Sequence, residues 1–280
     1  MSKRVLITGA GGFVGGFILE ESLKRGFETW AAVRRSTSRE FLQDDRINFI
    51  ELDFNNPKSL AQTLNEALPQ GEKWDYIIYN LGATKCTNFA DFNRINYDYL
   101  RSFTDALFET EKVPDKFLYM SSLSALGPGD EKDYTAFNSN SIPSPNTKYG
   151  ASKLKAEMHL AMTPNLPYIV FRATGIYGPH EKDYFMMFKS IKSGFDFSVG
   201  MRKQLLSFIY VQDLVEAMFE AIDKAPTGKT YLIAEDRSYT QKEFRQIAAA
   251  ELGKKVVIPM SMPIWAVYLV SVIAEKWGVI

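Results

Sequence analysis

Tyr149 and Lys153 stand four residues apart in the segment SPNTKYGASKLKAE, 144–157. On a helix that spacing stacks both side chains on one face, so they can touch. A phenol with its usual pKa of about 10 is a poor base at neutral pH, and a neighbouring ammonium lowers that value by favouring the phenolate. The chemistry on offer is proton transfer to or from an oxygen. The pair alone is weak ground. With 14 tyrosines in the chain, about one such spacing is expected by chance, and a solvated helix face fits equally well.

A second group of residues points to a nucleotide. In LITGAGGFVGGFILEESL, Gly9, Gly12 and Gly15 lie directly between an apolar strand and an amphipathic helix. Missing side chains there let a pyrophosphate reach the helix N-terminus. Gly9, Gly12, Phe13, Val14 and Gly15 are therefore the expected phosphate cradle of a dinucleotide. After the second strand, an acid about 20 residues beyond the loop would hold the ribose 2′-hydroxyl of NAD. Val33 occupies that place, followed by Arg34 and Arg35. The planar fork of arginine suits a 2′-phosphate, so NADP is favoured over NAD; two solvated loop arginines are the alternative.

The elements that must hold these residues follow from the apolar pattern. KRVLIT, ETWAAV, INFIEL, DYIIYN, KFLYMSS and PYIVFR read as six strands. Helices alternate with them: Phe13 to Lys24, Pro57 to Ala67 capped by Asn55 or Asn56, about Phe89 to Glu109, and the Tyr149 segment. Such alternation gives an α/β fold, a doubly wound parallel sheet of the Rossmann type. After Arg172 the pattern loosens: ATGIYGPHEKD reads as a loop, a short helix runs through Lys192, and weaker strands surround Phe197 and Leu206. YVQDLVEAMFEAI and TQKEFRQIAAAEL read as helices with KTYLIA as a strand between them. The expected division is a dinucleotide-binding domain over 1–172 and a smaller substrate lobe over 173–280. The two are interleaved, with some later segments returning to the first.

Composition removes several classes of function. Basic and acidic residues balance at 33 each, without the basic face that nucleic-acid phosphates need. One cysteine, Cys86, leaves no intrachain disulfide and implies a reducing, cytoplasmic setting. Two histidines, His159 and His180, with that cysteine do not make a common zinc site, so no metal is expected. No GxSxG elbow supports a hydrolase. The N-terminal apolar run is too short for a signal peptide. In the C-terminal PIWAVYLVSVIAEKWGVI the apolar run from Ile264 ends at Val270, and Glu275 and Lys276 follow. It is too short to span a membrane and reads as a core-packed or interface helix, with the natural protein expected to continue beyond it. No membrane partner is expected.

Taken together, TGAGGFVG and the distant YGASK resemble the extended short-chain dehydrogenase/reductases, and within them the NAD-dependent epimerase/dehydratase group. The resemblance runs from Val5 to about Leu232. Lesser signatures occur in the same order: LDF, YNLGAT, INYDYLRS, YMSSLSALG, FRATGIYGP and FIYVQDL. It implies that Asp53 bonds the adenine amino group, that the backbone at Leu81 and Gly82 passes the cofactor, and that Asn96 belongs to the same site. Ser122, five before Gly127, matches the catalytic hydroxyl residue, and Ser124 is either substrate-facing or structural. Asn80 stands where histidine is frequent, and Leu126 where an aromatic residue is expected. Asp213 matches a helix-start acid that caps backbone amides, and two of the helices imply a homodimer.

The resemblance implies hydride transfer at a carbinol or carbonyl carbon, with Tyr149 as acid or base. Ser122 holds the substrate oxygen, and Lys153 lowers the phenol's pKa and holds the nicotinamide ribose. Sugar 4,6-dehydratases carry an acidic pair where Leu123 and Ser124 stand, which disfavours that reaction. A nucleotide-sugar epimerase and an NADPH-consuming reductase acting on a small ketone or alcohol remain open, as does a non-catalytic dinucleotide-binding regulator. Arg172, Tyr177, Tyr184, Arg202 and Tyr210 are candidates for the small-molecule substrate pocket, since arginine and tyrosine suit phosphate and ring recognition.

Overall fold

In the computed structural model, which describes residues 2–40, 42–130, 132–200 and 203–263, strand β1 (Arg4–Thr8) is an interior strand of a seven-stranded sheet. Alternation along β1 sends Val5 and Ile7 to one side and Leu6 to the other, all fully buried. Val5 and Ile7 meet α1 (Phe13–Lys24) and α7 (Val211–Lys224) through Ile18, Leu19, Leu214 and Met218. Leu6 meets α2 (Pro57–Ala67), α4 (Tyr99–Glu109) and α5 (Lys148–Met162) in a second cluster containing Leu60, Phe103 and Leu160. Burial on both faces is why the strands read as unbroken apolar runs, each buried Leu or Ile contributing about 1.5–3 kcal/mol.

The remaining strands are β2 (Glu28–Val33), β3 (Asn48–Glu51), β4 (Tyr76–Tyr79), β5 (Lys116–Met120), β6 (Tyr168–Ala173) and β10 (Lys229–Ile233). Their order is β10-β6-β5-β4-β1-β2-β3, and every pairing is parallel. The chain runs outward from β1 to β3, then returns to β4 and runs the other way. The switch lies between β1 and β4, where an open α/β sheet leaves a crevice at its carboxyl edge. Six strands of this sheet match the pattern in the sequence; β10, the KTYLIA segment, adds the seventh.

The segment expected as one helix over 89–109 is three pieces: α3 (Phe89–Asn93), a π-helical turn (Arg94–Asp98) and α4. Asn56, whose side chain accepts from the Ser59 N–H at 3.2 Å, is the residue that caps α2.

Two compact units emerge among the described residues: those up to 176 with 209–234, and those of 177–208 with 235–263. The second contains α6 (Asp183–Ser193), α8 (Gln241–Glu251) and a parallel pair made by β8 (Phe195–Val199) and β12 (Ile258–Met262). Its core is aromatic, with Phe208 against Tyr184 and Phe244 at ring separations of 5.4 Å each. Part of the stretch expected as a loop forms the short strand β7 (Gly175–Tyr177), which shares a three-stranded sheet with β9 (Leu205–Tyr210) and β11 (Ser238–Thr240). The apolar segment 264–280 and Arg202 lie outside the described residues.

Candidate active site

Strand β5 ends at Met120, and Ser121, Ser122 and a short 3-10 turn (Leu123–Ala125) follow at its carboxyl edge. The Ser122 hydroxyl accepts from the Ser124 N–H at 3.2 Å, and the Ser122 side chain faces the Tyr149 phenol closely enough to favour the phenolate. Tyr149 reaches Ser122 because α5 packs directly on the turn. A Cβ built at Gly150 would stand 2.2 Å from the Ser124 carbonyl oxygen, so only glycine allows that approach. Thr147 starts the helix by accepting from the Gly150 N–H at 3.0 Å. Phe92 of α3 closes the other side of the phenol, with ring centroids 6.1 Å apart.

Lys153 is buried and takes a course different from the expected one. Its ammonium donates to the Met120 carbonyl at 2.8 Å and lies 4.9 Å from the centre of the Tyr119 ring. Burial lowers its pKa to about 8, opposed by the nearby Glu157 carboxylate. The Tyr149 phenol is pushed above its ordinary value by burial, with the Ser122 side chain pulling the other way. The expectation of a phenol lowered by Lys153 is thus not realised. The ammonium is spent on a backbone carbonyl, and desolvation dominates at the phenol.

Asn96, in the π turn, is fully buried. Its amide accepts from the Ala83 N–H at 2.8 Å and donates to the Ala83 carbonyl at 3.1 Å and to Ser152 Oγ at 2.9 Å. Ser152 in turn donates to the Tyr149 carbonyl at 2.7 Å. Asn96 therefore ties the segment after β4 to the helix carrying Tyr149, and its side chain is occupied by protein groups. The same segment is tied to β1 by the Leu81 N–H donating to Thr8 Oγ1 at 3.1 Å. A Cβ at Gly82 would lie 2.9 Å from the Lys153 ammonium.

The residues between β1 and α1 fit a dinucleotide. A Cβ at Gly15 would stand 2.2 Å from the Gly9 carbonyl oxygen, so the loop closes over a bare helix start. Gly12 is the N-cap and no side chain caps the helix, leaving first-turn N–H groups, including those of Phe13 and Val14, for an anion. Arg34 and Arg35 are exposed just beyond β2, where the Arg34 N–H donates to Thr37 Oγ1 at 2.9 Å. Asp53 is exposed after β3, with Oδ1 accepting from the Asn55 N–H at 3.0 Å. All of these lie at the carboxyl edge of the sheet.

Two expectations change. Arg172 is not available to a substrate: its guanidinium forks onto Glu157, at 2.6 Å from Nη2 to Oε2, with the carboxylate buried. That carboxylate also accepts from Ser121, fixing the start of the serine turn. Asp213 sits in the first turn of α7 but makes no capping bond; Tyr210 is the N-cap, without a side-chain cap. Ser124 lends its backbone to the packing of α5. Tyr177 and Tyr184 belong to the second unit and pack on Phe208, Tyr177 with ring centroids 6.1 Å apart. Gly150, Ser152, Glu157 and Thr8 were not singled out from sequence; only the YGASK string itself carried a signal for the first two.

The sequence matches known proteins along most of its length. It is 24% identical over 277 residues to the ceramide reductase of Caulobacter vibrioides, covering 98% of this chain and 78% of that protein. It is 24% identical over 259 residues to the human dTDP-D-glucose 4,6-dehydratase, covering 83% and 69%. The fold matches the UDP-glucose 4-epimerase of Thermus thermophilus, solved with NAD, with a TM-score of 0.77 at 18% identity over 93% of this chain and 86% of that one. Residues 5–234 match the sequence model of the NAD dependent epimerase/dehydratase family, and with a seven-stranded parallel sheet, a glycine cradle and a Ser–Tyr–Lys cluster at one edge, the chain belongs to that family.

Proposed function

We propose that this chain is an NADPH-dependent carbonyl reductase that uses Tyr149 as its proton donor. The observation that carries the reading is that α5 packs on the serine turn at Gly150, so that Tyr149 faces Ser122, with the Lys153 ammonium buried one helical turn along. The cofactor supplies hydride at its nicotinamide carbon. Ser122 donates a hydrogen bond to the carbonyl oxygen of the substrate and holds it in line. Tyr149 gives its phenolic proton to that oxygen as the alkoxide develops, Ser122 favours the phenolate that remains, and Lys153 anchors α5 to the Met120 carbonyl beneath the pair. Arg34 and Arg35 offer their forks to a 2′-phosphate, which supports NADP over NAD. The presence of both Tyr149 and Lys153 weighs against a non-catalytic dinucleotide binder.

The proposed substrate is a ketone on an apolar, ceramide-type molecule. Two guanidinium groups of the C-terminal half that suit a diphosphate, Arg172 and Arg245, are committed to the buried carboxylates of Glu157 and Asp196. Leu123 and Ser124 bring no carboxyl beside Ser122, which weighs against dehydration of a sugar. A ceramide reductase is among the relatives. A second reading, epimerisation of a nucleotide-sugar, is favoured by a relative named UDP-glucose 4-epimerase. The test is NADPH consumption with ceramide-type ketones and with UDP-sugars. One NADPH oxidised per ketone reduced is the expected result; interconversion of UDP-sugars with no net consumption of cofactor overturns it. We also propose a homodimer through the outer faces of α4 and α5, where Phe108, Met158 and Met162 are exposed. A monomer mass in sedimentation velocity contradicts it.

A further inference from the structure

The second unit has a sheet face that breaks the usual alternation of apolar inside and polar outside. On β8, Asp196 turns inward and pairs with Arg245 at 2.9 Å. Alternation then sends Phe195 and Phe197 to the opposite side, where they are 40% and 57% exposed and stack with centroids 6.2 Å apart. The register sets Phe195 beside Ile258 and Phe197 beside Met260. Residues side by side in a sheet point the same way, so Ile258, Met260 and Met262, each also at least 44% exposed, extend that outward face. Five large apolar side chains are thus exposed side by side on two paired strands.

Helix α6 leads into β8 through Gly194 alone and carries the same character. Phe185 and Met186 are 62% and 60% exposed. At about 100° per residue, Lys189 and Lys192 fall on the same arc as these two, and both are exposed. Lys254 and Lys255 are exposed just before β12. Lysine is depleted from the cores of protein–protein interfaces, whereas apolar side chains flanked by lysines are what the boundary of an anionic bilayer attracts.

We propose that this face docks the second unit onto an anionic lipid surface, its aromatic, Ile and Met side chains entering the acyl boundary and the lysines resting among the headgroups. Among the described residues no helix is long and apolar enough to cross a membrane, and this is a contact along the surface. It departs from the sequence expectation of no membrane partner, and it stands on this face alone, whatever the enzyme reduces. The test is co-sedimentation of the 280-residue chain with phosphatidylcholine vesicles, with and without phosphatidylglycerol. Binding is expected with phosphatidylglycerol and falls with added salt. The double variants Lys189→Glu/Lys192→Glu and Phe197→Ser/Met260→Ser should each weaken it by roughly tenfold or more, with thermal unfolding unchanged. Absence of binding by the unaltered chain overturns the proposal. So does binding that survives both double variants, the result expected if residues 264–280 or another surface holds the vesicle.

Discussion

Lys153 donates to the carbonyl oxygen of Met120 at 2.8 Å, which fastens the middle of α5 to the last residue of strand β5. The bond holds an ammonium where water does not reach, and the low pKa of about 8 expresses that cost. In the unfolded chain the same group titrates near its usual 10.5. The unfolded state therefore binds the proton more tightly, and the penalty on folding is complete below about pH 8 and disappears as pH rises towards 10.5. Lys153→Met should accordingly gain stability relative to the unaltered chain at pH 7. That advantage should shrink by about 2–3 kcal/mol by pH 10. Urea unfolding of both proteins at the two pH values checks this, and an advantage independent of pH contradicts a depressed Lys153.

Tyr149→Phe removes the proton and keeps the ring on Phe92. Turnover should fall by about 10²–10⁴-fold while calorimetric titration with NADPH changes little. Near-normal turnover in this variant would remove Tyr149 from the mechanism.

Gly150→Ala tests whether the close packing of α5 sets the Ser122–Tyr149 contact. The new methyl would meet the Ser124 carbonyl at 2.2 Å, and backbone on both sides must give way. Overpacking of this kind costs about 1–3 kcal/mol, and a displacement of about 1 Å at reacting groups costs on the order of 10²-fold in rate. The thermal midpoint and kcat should both drop. A variant with unchanged kcat means that the contact tolerates the shift.

The double variant Arg34→Ser/Arg35→Ser should weaken NADPH binding by about tenfold to a hundredfold and leave NADH binding nearly unchanged, because only the former carries the 2′-phosphate. Titration of each nucleotide into both proteins decides the matter. Tighter binding of NADH than NADPH to the unaltered chain would reverse the cofactor assignment.

What the sequence made readable was whatever depends on near neighbours. The bounds of α1, α2 and β2 follow from apolar runs ended by glycine, proline and asparagine, and they agree residue for residue with the structure. The order of motifs brought Ser122 and Tyr149 to one strand edge without any distance being known. Long-range partners were not readable. Nothing near Arg172 announces that its fork goes to Glu157, fifteen residues away, because a guanidinium suits a phosphate and a carboxylate equally. Strands β7 and β11 have three residues each, too few for alternation to register. Nor does local propensity record that the 89–109 helix changes pitch.

That change of pitch makes the 89–109 segment sensitive to length in a way its composition conceals. The π turn over Arg94–Asp98 offsets the angular phase of the residues before it from those after it. Phe92, against Tyr149, lies before the offset, and Leu100 and Phe103, in the sheet's core, lie after it. Loss of one residue between 94 and 98 would restore an even helix and swing the Phe92 end by about 100° about the axis. Substitutions on the outer face leave that phase untouched, whereas a single-codon deletion would carry Phe92 off the phenol and Asn96 off Ala83. This stretch is expected to accept changes of spelling far more readily than changes of count.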